Sequence, residues 1–240
     1  MALKPVVVFI HGLSMLGTNT WGQFLTLLES DPEFEGKLDI DLYKYRTSVI
    51  PILETVLPFY RQLPAIEVLA AGFLTHLQML QDRHEHMFLV AHSLGGLVLR
   101  KALTMDFQKG LHLKIDGGVI FATPNHGVEL ASLAAKVRLP NRQIAQLQCD
   151  SAFLKELNQT WTQSNLSEVY HLHAATGDLD NFVPMHSAEL PDRKDELVII
   201  GGADHRTVVR PTSRDDVGYW VLGSRLKDWL ESLNAATSTQ

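Results

Sequence analysis

Residues 87–103 read Met87-Phe88-Leu89-Val90-Ala91-His92-Ser93-Leu94-Gly95-Gly96-Leu97-Val98-Leu99-Arg100-Lys101-Ala102-Leu103, and this stretch decides the fold. Met87–Ala91 is an unbroken apolar run, the mark of a strand buried on both faces. The run from Leu97 onward suits a helix. Between them, Ala91-His92-Ser93-Leu94-Gly95 sets a serine between two small residues. Strand, sharp turn and helix make that match a nucleophile elbow, with the serine at the tip of a tight turn. The flanking positions must be small, and Ala91 and Gly95 are. The serine oxygen then stands exposed above the sheet, at the positive end of a helix.

Three further apolar runs read as buried strands: Val6–Ile10, Gly118–Ala122 and Leu197–Ile200. Leu38–Tyr45 alternates polar and apolar residues and suits a less buried strand, and Val169–Ala174 is a sixth candidate. Helical patterns fall between them at Trp21–Leu28, Ala65–Leu80, Leu94–Met105, Ser151–Trp161 and Val217–Leu233. This alternation predicts an α/β protein with a mostly parallel sheet of about six strands and helices on both faces. With 240 residues, 45% hydrophobic and 20% charged, one domain over 1–240 is the natural reading.

Two segments exceed the alternation and are candidates for a cap or lid. Segment 47–64 is apolar but interrupted by Pro51, Pro58 and Pro64, so it is not one straight helix. Segment 126–162 carries helical patterns with no strand. In it Asp150 or Ser151 suits an N-cap, with Phe153, Leu154, Leu157 and Trp161 on one face. The alternative for both segments is a set of packing helices.

The formal charge of −6 gives no electrostatic case for nucleic acid. The single cysteine, Cys149, excludes an intramolecular disulfide and fits a reducing, cytoplasmic compartment. Met1–Pro5 leads directly into a strand, with no n-region, h-region or cleavage site, so no classical secretion signal is expected. Val68–Thr75 is apolar, but eight residues do not span a bilayer. The expectation is a soluble protein, one face of which can rest on a lipid surface.

A serine hydroxyl is a poor nucleophile at neutral pH. It needs a base, a group to orient the base, and donors for an oxyanion. In a sheet with the elbow after a middle strand, the acid and then the histidine should follow on loops after later strands. Thr176-Gly177-Asp178-Leu179-Asp180-Asn181-Phe182-Val183-Pro184 follows the sixth strand candidate, and Gly201-Gly202-Ala203-Asp204-His205-Arg206 follows the last. His205 is therefore the candidate base and Asp180 the candidate acid, with Asp178 its rival. Asp204, adjoining His205, is awkwardly placed to orient it. The oxyanion donors expected are the backbone N–H groups of Leu94 and Leu13, where Gly12 permits close approach. His11 reads as a tie for that loop and His92 as a packed residue.

The eleven histidines include the pairs His84/His86 and His171/His173, yet no cysteine or carboxylate cluster completes a ligand set. No glycine-rich phosphate or dinucleotide motif opens on the first strand. Neither a metal nor a cofactor is expected.

These residues carry a family resemblance. The chain resembles lipase-like members of the α/β-hydrolase superfamily, among them the small serine esterases grouped with SERAC-type and GPI inositol-deacylase-type proteins. The resemblance rests on His11-Gly12-Leu13 with Thr20-Trp21, on Tyr43-Lys44-Tyr45, on Ala91–Val98, on Thr123-Pro124-Asn125-His126-Gly127, and on Asp180–Pro184 with His205. Ala91 stands where the elbow's first glycine is usual, and His126 where a basic residue is common. The resemblance implies hydrolysis of acyl esters, often lipids, with Ser93, Asp180 and His205 as nucleophile, acid and base. Ile50–Leu57 and Leu130–Ala135 are then candidates for an acyl pocket or lid, with ordinary core as the alternative. Two other functions fit the same pattern: an acyltransferase using the same triad, and a non-catalytic binding module that keeps the fold.

Overall fold

In the computed structural model, which describes residues 3–13, 19–45, 64–129 and 142–237, six strands form one sheet in the order β2-β1-β3-β4-β5-β6. They are β1 (Val6–Ile10), β2 (Asp39–Tyr43), β3 (Met87–His92), β4 (Ile115–Phe121), β5 (Leu172–Gly177) and β6 (Val198–Ile200). Every neighbouring pair is parallel. All six strands therefore end at one edge, and the loops leaving that edge share a rim, where α/β proteins place their sites. The helices are α1 (Phe24–Glu29), α2 (Ile66–Gln81), α3 (Leu94–Lys109), α4 (Arg142–Leu147), α5 (Ala152–Gln163), α6 (Leu166–Val169), α7 (Met185–Ala188) and α8 (Val217–Thr237).

The sheet separates two apolar cores. Val6, Val8 and Ile10 of β1 belong to one, Val7 and Phe9 to the other. This double burial is why β1 and β3 read as unbroken apolar runs instead of alternating ones. The first core takes the stripe Ile66, Leu69, Phe73, Leu77 and Leu80 of α2 at helical spacing, together with α3 and α5. The second takes Phe24 of α1 and Tyr219, Leu222, Leu226 and Trp229 of α8.

Local signals act as the sequence reading expects at α5. The Ser151 hydroxyl accepts from the N–H of Leu154 at 3.3 Å as N-cap, and Phe153, Leu154, Leu157 and Trp161 are its buried residues. Other boundaries shift for identifiable reasons. β5 begins at Leu172, not Val169, because Asn165 and His171 take positive φ (49° and 43°) around the short helix α6. β4 starts at Ile115, before Gly118. There Gly117 leaves room for the Phe88 ring, which a Cβ would meet at 2.9 Å. α3 continues past Met105 to Lys109 and stops at Gly110, whose φ of 60° ends the helix in the left-handed region.

Of segment 47–64, all but Pro64 lies outside the described residues, as do Ile50–Leu57 and Leu130–Ala135. In the described part of 126–162, α4 and α5 bury Ile144, Leu147, Leu154 and Trp161 in the first core. Those helices pack as body of the domain. Among the described residues, no helix is long and apolar enough to cross a membrane.

Candidate active site

β3 hands its last residue, His92, to Ser93, whose φ of 56° and ψ of −129° lie outside the regions ordinary residues favour. Such a conformation costs on the order of 1–3 kcal/mol and persists only where its surroundings impose it. They do so here through close packing. A Cβ on Gly95 would lie 2.5 Å from the His11 carbonyl oxygen, and one on Gly12 would lie 2.7 Å from the Ser93 Cβ. The Ser93 N–H is fixed by the Phe121 carbonyl of β4 at 2.9 Å.

The loops after β5 and β6 meet over this serine. Ser93 Oγ lies 3.0 Å from His205 Nε2, and His205 Nδ1 lies 2.8 Å from Asp180 Oδ2. Asp180 turns its other oxygen, Oδ1, to the N–H groups of Phe182 and Val183, both at 2.8 Å. A carboxylate only accepts, so His205 carries its proton on Nδ1 and offers a free Nε2 lone pair to the Ser93 hydroxyl. Burial pushes the Asp180 carboxyl up. The His205 bond and charge and the Val183 and Phe182 N–H groups pull it down, and the net position is below the ordinary carboxylate value. The Phe182 ring meets the His205 ring edge to face at 4.9 Å.

Asp178 points elsewhere. Its Oδ1 accepts from the Gly202 N–H at 2.7 Å, so it stitches the acid loop to the base loop. Asp204 accepts from the N–H groups of Arg206 and Thr207 and starts the short turn of helix that follows His205. The two loops also pack without side chains between them. A Cβ on Gly177 would sit 2.0 Å from the Ala203 carbonyl oxygen, and the Leu179 N–H donates to that oxygen at 3.0 Å.

The candidate oxyanion donors belong to the residue after Ser93 and to the loop after β1, whose Gly12 packs against Ser93. Leu94 is the first residue of α3, where a backbone N–H has no acceptor within its own helix. Leu13 follows Gly12 in the loop after β1, and His11 secures that loop. His11 Nδ1–H donates to the Gly12 carbonyl at 2.7 Å, and its Nε2 faces the Tyr45 N–H at 3.4 Å. The Tyr45 hydroxyl donates to the His11 carbonyl at 2.6 Å, with the two rings stacked. Burial lowers the His11 pKa against these backbone bonds, which favours the neutral form.

Two features escape a reading by motif. Arg100, fully buried in α3, donates to Asn125 Oδ1 at 2.9 Å and Asn158 Oδ1 at 3.0 Å and lies over the Trp161 ring at 4.6 Å. Asn125 passes the connection on, donating to the Ala188 carbonyl of α7 just beyond the acid loop. The sequence signal was the charged pair Arg100-Lys101 inside an otherwise apolar run. The second is His92, whose Nε2–H donates to the His205 carbonyl at 2.7 Å.

Of the histidine pairs, His84 and His86 are engaged by other partners. His84 Nδ1 meets the Lys4 carbonyl at 2.8 Å and His86 Nδ1 meets the Asp116 carboxylate at 3.1 Å. His171 and His173 line a cleft of about 480 Å³ with Asp116, Arg225 and Trp229, at the opposite end of the sheet from Ser93. Among the described residues, no three histidine, cysteine or carboxylate side chains are grouped to hold a metal.

No family model matches the chain, and no curated protein does. Solved structures do. Phospholipase PlaB from Legionella pneumophila, in complex with thio-NAD, superposes with a TM-score of 0.61 at 19% identity, over 78% of this chain and 44% of PlaB. The mature lipase BlEst2 from Bacillus licheniformis gives 0.56 at 17% identity, over 86% of this chain and 87% of its own. A monoacylglycerol lipase from Paleococcus ferrophilus gives 0.55 at 15% identity, over 96% of both chains. The chain spans less than half the length of PlaB. Strand order, elbow and these likenesses define the fold as that of the α/β-hydrolases.

Proposed function

We propose that this chain is a serine hydrolase of carboxylic esters. The observation that carries the reading is the continuous hydrogen-bonded chain from Ser93 Oγ through His205 to Asp180, set on a strained elbow. Ser93 Oγ attacks the ester carbonyl carbon as His205 Nε2 takes its proton, and Asp180 stabilises the imidazolium that forms. The Leu13 and Leu94 N–H groups bind the oxyanion. Collapse breaks the ester C–O bond, and the imidazolium gives its proton to the departing alcohol. A water then loses a proton to His205 and attacks the acyl-serine. The acid leaves and the proton returns to Ser93 Oγ.

Acyl or lipid esters are the substrate class this reading favours. The resemblance to SERAC-type and inositol-deacylase-type esterases supports it, as do neighbours that are lipases and a phospholipase. Leu179 and Met185, 54% and 45% exposed on either side of the acid loop, set apolar side chains at the rim, which suits peripheral contact with a lipid surface. In this reading 1–240 acts as one cytoplasmic catalytic unit.

The test is a fluorophosphonate probe mapped by mass spectrometry. An adduct on Ser93 that is lost in His205→Ala is the expected result. No adduct, with or without detergent, overturns the hydrolase reading in favour of a binding module. Added alcohol acceptors distinguish hydrolysis from acyl transfer by their products.

A further inference from the structure

His92 is the residue before the nucleophile, and it faces the second core, not solvent. It is buried, its ring lies 6.4 Å from Trp21 and 4.9 Å from His205, and its Nε2–H donates to the His205 main-chain carbonyl at 2.7 Å. A carbonyl only accepts, so the proton of His92 is on Nε2 and its Nδ1 is bare, without a partner among the described residues. Two noncovalent links therefore close a small ring. Ser93 Oγ meets His205 Nε2, and the His205 carbonyl returns to the residue covalently next to Ser93. We propose that His92 is a positioning residue for the base, setting the height of the His205 main chain above the serine while staying neutral beside it. This rests on the esterase reading above.

The placement matters because His205 rides on a loop, not on a strand or helix. The other ties on that loop act at Gly202, Ala203 and Asp204 before the base, at Arg206, Thr207 and Val208 after it, or through its ring. The His92 bond alone among the hydrogen bonds described here grips the His205 main chain. A displacement of about 1 Å between nucleophile and base is enough to cost on the order of a hundredfold in rate. Neutrality matters equally. In the transition state His205 becomes a cation, and a second cation at 4.9 Å would oppose it. The charged groups facing His92 are His205, Asp180 and Arg210. Burial first, then His205 and Arg210, hold its pKa down to about 3, so it is uncharged at neutral pH.

The experiment compares wild type, His92→Phe and His92→Gln on a soluble short-chain ester, with kcat and KM measured across pH and Ser93 labelling rates alongside. Gln keeps an N–H donor at the distance of the imidazole Nε2; Phe keeps the ring and loses the donor. The expected result is a kcat roughly 10–100-fold lower in Phe with KM within about threefold, recovery to within about fivefold in Gln, and the same acid limb in Gln as in wild type. Equal kcat in Phe and wild type overturns the proposal, and so does an acid limb that moves in Gln. Should Phe fail to fold, nitrogen-15 spectra of wild type decide. A His92 ring that stays an Nε2–H tautomer from pH 5 to 8 supports the proposal, and one that titrates or protonates Nδ1 refutes it. Wild type that neither labels nor turns over removes the esterase reading itself, an outcome seen before any variant is compared.

Discussion

Replacing Asp180 with Asn preserves the shape of the acid loop and reverses the proton order of the site. Asp180 Oδ1 accepts from two backbone N–H groups, Phe182 and Val183, while Oδ2 accepts from His205 Nδ1. An amide has one acceptor end and one donor end. Facing its NH₂ to the two backbone donors leaves both unsatisfied in a buried place, at about 1–3 kcal/mol each. The amide oxygen therefore takes the Oδ1 position and the NH₂ faces His205. Nδ1 must then be bare, and the proton moves to Nε2, which becomes a donor to Ser93 Oγ instead of an acceptor. The base is lost without being removed. Wrong-tautomer variants of this kind lose on the order of 10⁴ in kcat. Ester turnover and fluorophosphonate labelling of Asp180→Asn should both fall by about that factor, with urea unfolding near that of wild type. Asp178→Asn, whose carboxylate accepts from the Gly202 N–H, should stay within about tenfold. An Asp180→Asn variant within tenfold of wild type, or an equal loss at Asp178, would refute this assignment of the acid.

Gly12→Ala places a Cβ 2.7 Å from Ser93 Cβ and 2.9 Å from the His92 carbonyl oxygen, neither of which can swing away. The two loops must part, so turnover should fall about a hundredfold and stability by about 1–3 kcal/mol, read by kinetics and urea midpoint; an unperturbed variant would contradict the close approach. Arg100→Met strips the donors from Asn125 and Asn158 and should cost about 2–5 kcal/mol in urea unfolding, while an unchanged midpoint would mean that the buried network contributes nothing. Stability should also fall with acid well before the carboxylates titrate. His92 and His173 are held neutral, their pKa values lowered to about 3 and about 4, chiefly by burial. Below about pH 6.5 the unfolded chain takes up protons that the native chain refuses, so buried His92 contributes a loss of up to about 1.4 kcal/mol per pH unit down to its folded value, and part-exposed His173, screened by solvent, contributes less. Asp180, depressed in the fold, adds its own loss only lower, as pH falls below the unfolded carboxylate range and through its folded value. A flat urea midpoint between pH 6 and 4 would contradict this.

The elbow and the buried strands were legible because each depends on a local rule. Small residues beside Ser93, apolar runs for double burial and helical stripes all act within a few residues. β1 was readable to its ends for that reason. β5 was misplaced because its start depends on two non-glycine residues at positive φ, Asn165 and His171, which no propensity announces. The order Ser, Asp, His along the chain narrowed the acid to Asp178 or Asp180. What separates them is which carboxylate has the Phe182 and Val183 N–H groups behind it and the His205 ring in front. That is a matter of loop geometry two residues long. Arg100 and His92 were visible as residues but not as partners, since Asn158, Asn125 and the His205 carbonyl approach them from elements far away in sequence.

The sheet adds β4, β5 and β6 outward from β3 in chain order. During synthesis the serine emerges early, and the strands that deliver its partners emerge late. In the esterase reading, Ser93 has neither base nor acid until β5 and β6 have docked on that edge. On that reading the elbow alone is chemically inert, and reactivity waits for the residues from Leu172 onward.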